Sequence, residues 1–263
     1  MNLRKTISIM VALFSLFSAL GLQADHPKDA SKILPIKNSV TYDLPDFAAI
    51  SDVKTKKRKF FNFLLPMIRE SNSAILDQRT LLLEIRGLVE NDAELTESII
   101  SFIGRLSSRY QVEPNNDLLI QLSELLVKVD VVPESLVMAQ AANESGWGTS
   151  RFAQQANNLF GVWCFTPGCG ITPLSRSEGL THEVARYDSV NESINAYIHT
   201  LNTNPAYVYL RQIRAESRAE ANILNGLALA EGLTKYSERG SDYVKEIQQL
   251  IRVNKLQEFN QPV

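Results

Sequence analysis

The sequence predicts an α+β protein, mostly α-helical, with one small β-hairpin lobe set between helices. Three observations lead there. Apolar residues recur at helical spacing over most of the chain after residue 53, and polar capping residues stand where several of these stripes begin. Between Gly168 and Tyr187 the helical period gives way to two short runs around a turn. With 263 residues, the chain is long enough to bury a sizeable core without relying on disulfides.

Residues 1–24 read as a secretory signal: Arg4 and Lys5 supply positive charge, Ile7 to Leu20 is apolar, and Leu22-Gln23-Ala24 offers a cleavage site. A retained anchor is the competing reading, but the apolar run is shorter than the roughly 20 residues that span a bilayer. Cleavage would place the mature protein in the periplasm or outside the cell. Residues 25–52, with Pro27, Pro35 and Pro45 among polar residues, read as an extended leader.

Residues 53–121 form an N-terminal helical region. It opens with the basic run Lys54-Thr-Lys-Lys-Arg-Lys59, read as the solvated start of a helix, with peripheral contact to anionic wall polymers or lipid head groups as the alternative. Its core stripes are Phe60, Phe63, Leu64, Met67 and Ile68, then Leu82, Ile85 and Val89, then Leu95, Ile99, Phe102, Ile103, Leu106 and Tyr110. Asn115-Asn116-Asp117 starts the next helix, which leads into the region 122–256.

In that region Pro133 suits a first helical turn, Leu136, Gln140 and Glu144 share one face, and Gly146 and Gly148 end the pattern. Thr149-Ser150 caps a short helix ending at Asn157-Asn158-Leu159-Phe160-Gly161. The hairpin is built from Gly170 to Arg176 and His182 to Tyr187 around Ser177 to Thr181. Ser189-Val-Asn-Glu192 is a capping box for a further helix. Three more follow: Tyr207 to about Glu216, Glu220 to about Ala230, and Ser241 to about Leu256.

A formal charge of -2 gives no nucleic-acid signature. The two cysteines, Cys164 and Cys169, flank Phe-Thr-Pro-Gly, and in an exported chain such a pair reads as a disulfide. His26, His182 and His199 are scattered, so no metal is assigned. Ser145 lacks the G-x-S-x-G elbow, and no Walker or dinucleotide-binding glycine pattern occurs, so no cofactor is expected either.

The one residue that stands out chemically is Glu144. Near a helix C-terminus it faces the negative end of the helix dipole, among Ala, Met and Trp147 side chains that solvate charge poorly. Both effects favour the protonated carboxyl, the state a general acid requires. A surface glutamate at a frayed helix end is the bland alternative.

The run Ala139-Gln-Ala-Ala-Asn-Glu-Ser-Gly-Trp-Gly148, followed by Asn157-Asn-Leu-Phe-Gly161, resembles the glucosaminidase family of bacterial cell-wall hydrolases, whose pattern is approximately A-Q-[AS]-x-x-E-[ST]-x-W-G and then N-[NY]-L-F-G. Lys235-Tyr236-Ser237 and Tyr243-Val-Lys-Glu-Ile247 are similar to the family's Tyr-containing loop and last helix. The resemblance spans about Leu122 to Leu256. It implies a lysozyme-like catalytic domain acting on peptidoglycan glycan strands at the β-1,4 bond after N-acetylglucosamine, with Glu144 as general acid; a monomer is expected.

The second catalytic group stays open. Glu183 on the returning strand and Glu178 in the turn are the carboxylate candidates. If the substrate carries a 2-acetamido group, that carbonyl can assist instead, with Tyr236 orienting it. Trp147, Phe160 and Trp163 are candidate aromatic platforms for sugar rings, and Asn158 and Tyr243 complete the candidate binding set. Two other readings remain beside this one: a muramidase or lytic transglycosylase working from a single Glu, and a wall-binding protein without turnover.

Overall fold

A computed structural model describes residues 43–174, 176, 179–220 and 223–262. The expected signal, most of the leader and Glu178 lie outside the described residues. Nine α-helices and three short strands follow one another among those described.

The first helix, α1, runs from Val53 to Glu90, with Asp52 as its cap accepting the Thr55 N–H at 2.8 Å. It joins into one 38-residue helix two apolar stripes that the sequence shows separately. Pro66 lies within it without ending it. Ahead of it, Phe47 of the expected leader is buried, packing edge-on against Phe60.

Next come α2 (Glu97–Tyr110), capped by Thr96, and α3 (Leu118–Lys128), capped by Asp117 as its spacing predicts. α4 (Glu134–Ser145) is buried over most of its circumference, from Glu134 to Ala142, and is therefore the central helix rather than a surface one. It stops because Gly146, Trp147 and Gly148 all take positive φ. A side chain at Gly148 would stand 2.7 Å from the Phe47 ring, so the turn also requires the space that only glycine leaves. α5 (Arg151–Ala156) is short, capped by Ser150 and closed by Asn157 in the left-handed region, as expected.

The β lobe differs from the expected two-stranded hairpin. Strands β1 (Trp163–Cys164), β2 (Gly170–Ile171) and β3 (Glu183–Ala185) form an antiparallel sheet in the order β1-β3-β2. The β2–β3 pairing is the anticipated one. β1 adds a strand on the other edge, because the Cys164–Cys169 disulfide turns the chain back so that both edges flank β3. Gly170 is required there, since a Cβ would collide with the Val184 carbonyl at 1.9 Å.

Then follow α6 (Val190–Thr203), α7 (Val208–Ala219), α8 (Gly226–Leu229) and α9 (Ser241–Val253). The helix expected from Glu220 to Ala230 is a correction: the α-helical part starts only at Gly226, where the Asn225 side chain caps the Leu227 N–H. Gly226 abuts Ser135 of α4 so closely that a Cβ would lie 2.2 Å from its hydroxyl oxygen.

A single hydrophobic core runs through the N-terminal helices and the following region alike. It includes Phe60, Leu64 and Ile68 of α1, Phe102 and Leu106 of α2, and Leu136 to Ala142 of α4. α1 packs on α3, α4 and α6. No helix among the described residues is long and apolar enough to cross a membrane.

Candidate active site

α4 delivers Glu144 to its own C-terminal end, one residue before the helix stops. Burial raises the carboxyl pKa, partly opposed by two hydrogen bonds, from the Tyr243 hydroxyl at 2.8 Å and the Asn143 amide at 3.2 Å, both to Oε1. The other oxygen, Oε2, faces Gly161, where even a Cβ would come within 3.9 Å. One oxygen is therefore held by two donors, and the other faces a residue without a side chain.

The holding group is itself held. Gln140, one turn before Glu144 and fully buried, donates its amide to the Tyr243 oxygen at 2.9 Å. Tyr197 in turn donates its hydroxyl to the Gln140 carbonyl oxygen. The chain Tyr197–Gln140–Tyr243–Glu144 runs in one direction, so the Tyr243 proton points at the carboxylate. Burial raises the Tyr243 pKa far beyond the usual phenol range, with the Glu144 charge adding to it, so it acts as a fixed donor and not as a base.

Tyr236 stacks flat on Tyr243, with ring centroids 5.4 Å apart, and donates its hydroxyl to the Phe160 carbonyl at 2.7 Å. That bond directs the hydroxyl to the Phe160–Gly161 loop. Asn158 organises the same loop. Its amide donates to the Val162 and Ala185 carbonyls at 2.9 and 2.8 Å, and its oxygen accepts from the Phe160 and Val162 N–H groups. Asn158 is buried and fully engaged with backbone, which makes it a staple for the loop opposite Glu144.

The aromatic candidates separate by exposure. Phe160 is buried and stacked on Tyr197 at 4.0 Å, so it reaches the site through its carbonyl and not through its ring. Trp147 packs edge-on against Phe60 and Phe61, with the Lys57 ammonium 4.7 Å from its ring centroid. Trp163 is 56% exposed, and His182 stacks on it at 3.9 Å, giving a broad ring surface on the lobe beside Gly161.

On the lobe, Glu183 accepts the Gly168 and Gly170 N–H groups at 3.2 and 2.8 Å, one on each oxygen. These bonds hold its carboxyl below the usual glutamate range. Environments thus push Glu144 and Glu183 in opposite directions, one toward the acid and one toward the anion. Cys164, Cys169 and Glu183 are a close group of metal-ligand types, but the two sulfurs are bonded to each other, which removes the thiolates a metal would need.

Gln140 lies four residues before Glu144, a spacing visible in the sequence. Nothing in the sequence singles out Tyr197, which comes from α6, or Asn143, whose amide bonds its neighbour.

Residues 121–256 match the family model of the glucosaminidases, described as mannosyl-glycoprotein endo-beta-N-acetylglucosaminidase. The chain belongs to the glucosaminidase family. It is also 32% identical over 201 residues to Protein bax of Escherichia coli strain K12, covering 76% of this chain and 70% of the relative. Among solved structures, the catalytic domain of the autolysin Auto of Listeria monocytogenes aligns over 81% of this chain and 92% of that one, with a TM-score of 0.42 at 18% identity. As a glucosaminidase-family protein the chain is a glycoside hydrolase. α1 and α2 precede the family-matched part.

Proposed function

We propose that the protein is an exported peptidoglycan hydrolase that cuts the β-1,4 bond after N-acetylglucosamine, with Glu144 as general acid. The observation that carries this reading is the environment of Glu144. Its pKa is raised by burial, Oε1 is fixed by a directed chain of neutral donors, and Oε2 faces Gly161, which has no side chain to cover it.

A protonated Glu144 would give its proton from Oε2 to the leaving glycosidic oxygen. Tyr243 would then stabilise the carboxylate left behind, since its bond to Oε1 strengthens as charge develops. The positive charge growing at the anomeric carbon needs a partner. Glu183, ionised by its two backbone bonds, has the right charge if the lobe closes on the strand. A 2-acetamido carbonyl of the substrate can serve instead, positioned by the Tyr236 stack. Trp163 supports a sugar ring on the lobe side of the cleft.

The resemblance of residues 139–148 and 157–161 to the cell-wall hydrolases supports a wall substrate, the family match supports a bond at N-acetylglucosamine, and the N-terminal Arg4-Lys5, apolar run and Leu22-Gln23-Ala24 support export. Mass spectrometry of fragments released from purified wall tests the bond. Reducing N-acetylglucosamine ends are expected. Anhydromuramic ends would identify a transglycosylase and reducing muramic ends a muramidase, and no release by protein that still binds sacculi would leave a binding role. Separate replacement of Glu178, Glu183 and Tyr236 identifies the second group: if one glutamate variant collapses while Tyr236→Phe stays fully active, the tyrosine-centred version is wrong.

A further inference from the structure

A cleft of about 370 Å³ opens beside the acid, between the start of α1, the end of α4 and α9. Its walls include Lys57, Asn143, Trp147, Glu246, Gln249 and Asn254. It touches the site already described through Asn143, whose amide donates to Glu144. One wall comes from α1, outside the family-matched residues.

The cleft is electropositive on that wall. Lys54, Lys56, Lys57, Arg58 and Lys59 occupy the first two turns of α1, and among the described residues none of them is ion-paired. The nearby acid, Asp52, caps the helix and offsets part of the charge of Arg58 and Lys54, while the Lys57 ammonium stands over the Trp147 ring. Lys54 lies one turn before Lys57 and on the same side of the helix, and the helix N-terminus adds to their field. This concentration of cations stands out in a chain whose formal charge is -2. Across the cleft, Glu246 has Arg239 as its own counter-charge, so it does not cancel Lys57.

The lining argues against another sugar ring. Trp147 is packed in T-shaped contacts with Phe60 and Phe61 and carries the Lys57 ammonium over its ring, so that face is not offered to a pyranose. What remains is a lysine, side-chain amides and the short apolar surface of Leu250 and Val253. That set fits a short acidic peptide: carboxylate to ammonium, backbone to amides, aliphatic side chains to Leu250 and Val253.

We propose that this cleft is a subsite for the carboxylate-bearing peptide substituent of the strand cut at Glu144. The inference rests on the reading of the substrate as peptidoglycan. It makes the hydrolase prefer peptide-substituted glycan to bare glycan, with the preference supplied by α1.

The experiment compares two polymers: purified wall glycan bearing its peptides, and the same strands after an amidase has removed them. The unaltered protein should show about a tenfold higher kcat/KM on the substituted strands, mostly through KM and diminishing with salt. A Lys54→Glu/Lys57→Glu protein should bring that ratio close to one while its rate on bare strands stays within about twofold. Lys57→Gln should fall between. Equal rates of the unaltered protein on both polymers, or an equal loss on both in the variants, would overturn the subsite. So would variants that keep the ratio but no longer bind vesicles containing anionic phospholipid, which would make the patch a membrane contact. Co-sedimentation of Glu144→Gln protein with the two polymers reads the cleft without cleavage, so a failure of the proposed activity stays distinguishable from a failure of this site.

Discussion

Two carboxylates bracket α4, and they are treated in opposite ways. Asp130, just before the helix, is buried. Burial works to raise its pKa, but Arg214, Arg218 and Arg79 outweigh that, and it is held below the usual range. Arg218 grips it with both Nε and Nη2, at 3.1 and 2.7 Å, and Arg79 lies 3.4 Å away. Glu144, at the other end, is offered only a phenol and an amide as direct partners, and its pKa rises. Arginines make a carboxylate permanent and structural. Neutral donors orient a carboxylate and favour its charge too weakly to outweigh burial, which leaves a proton available for chemistry.

Glu144→Gln is the sharpest way to test that contrast. Glycan cleavage should fall by about 10³-fold, read as soluble fragments released from wall, because the amide keeps the shape and loses the transferable proton. Stability should move the other way. A raised folded-state pKa contributes stability that is present below the unfolded value and lost as pH rises through the folded one. The Gln protein should therefore melt no lower than the unaltered protein at pH 7, with its advantage vanishing near pH 4. Parallel losses of activity and melting temperature would place Glu144 with Asp130, as a structural carboxylate.

Asp130→Asn should do the converse. Leaving Arg214, fully buried, and its neighbours without their anion should destabilise the fold by about 3 kcal/mol, measured by denaturant unfolding. Cleavage per folded molecule should stay nearly intact. Because the Asp130 pKa is lowered, its contribution is present above the unfolded value near 4 and disappears as pH falls through the folded one, so the two proteins should converge in acid.

These opposite environments were only partly legible in the sequence. The position of Glu144 could be read because its cues are local: Pro133 ahead, Gln140 and Leu136 at four-residue spacing, and Gly146 and Gly148 behind. The arginine cage around Asp130 could not, since Arg79, Arg214 and Arg218 arrive from α1 and α7 through tertiary packing. The same holds for Tyr197. The β2–β3 hairpin was visible from its turn, whereas β1 was not, because two residues are too few to display alternation. The aromatic residues could be picked out in the sequence, but which present a ring and which present a carbonyl depends on packing: Trp163 is open, while Phe160 is sealed under Tyr197.

A smaller effect sharpens the role of neutral donors. Tyr243→Phe removes a bond that favours the ionised form of Glu144, so its pKa should rise further and the alkaline limb of the pH–rate profile should move to higher pH. Loss of orientation should cost roughly tenfold in kcat, as expected for one hydrogen bond of about 1.4 kcal/mol. An unchanged profile would detach Tyr243 from the acid. The slightest change is expected at the lobe: native protein should take up no thiol label at Cys164 or Cys169 until a reductant is added, and labelling without reduction would leave the Glu183 clasp without its covalent brace.

The seat of α1 has a consequence for how this hydrolase can be taken apart. At 1.5 Å per residue its 38 residues make a strut of about 57 Å. Near its start, Phe60 and Phe61 brace Trp147, and Phe60 and Phe47 press on Gly148, immediately behind the acid. A fragment cut at the family boundary, beginning at residue 121, would lose that brace and expose an apolar trench along α3, α4 and α6. The hydrolytic unit is therefore not a cassette that could be transplanted onto other chains; its modular border in sequence runs through the middle of a single folded body.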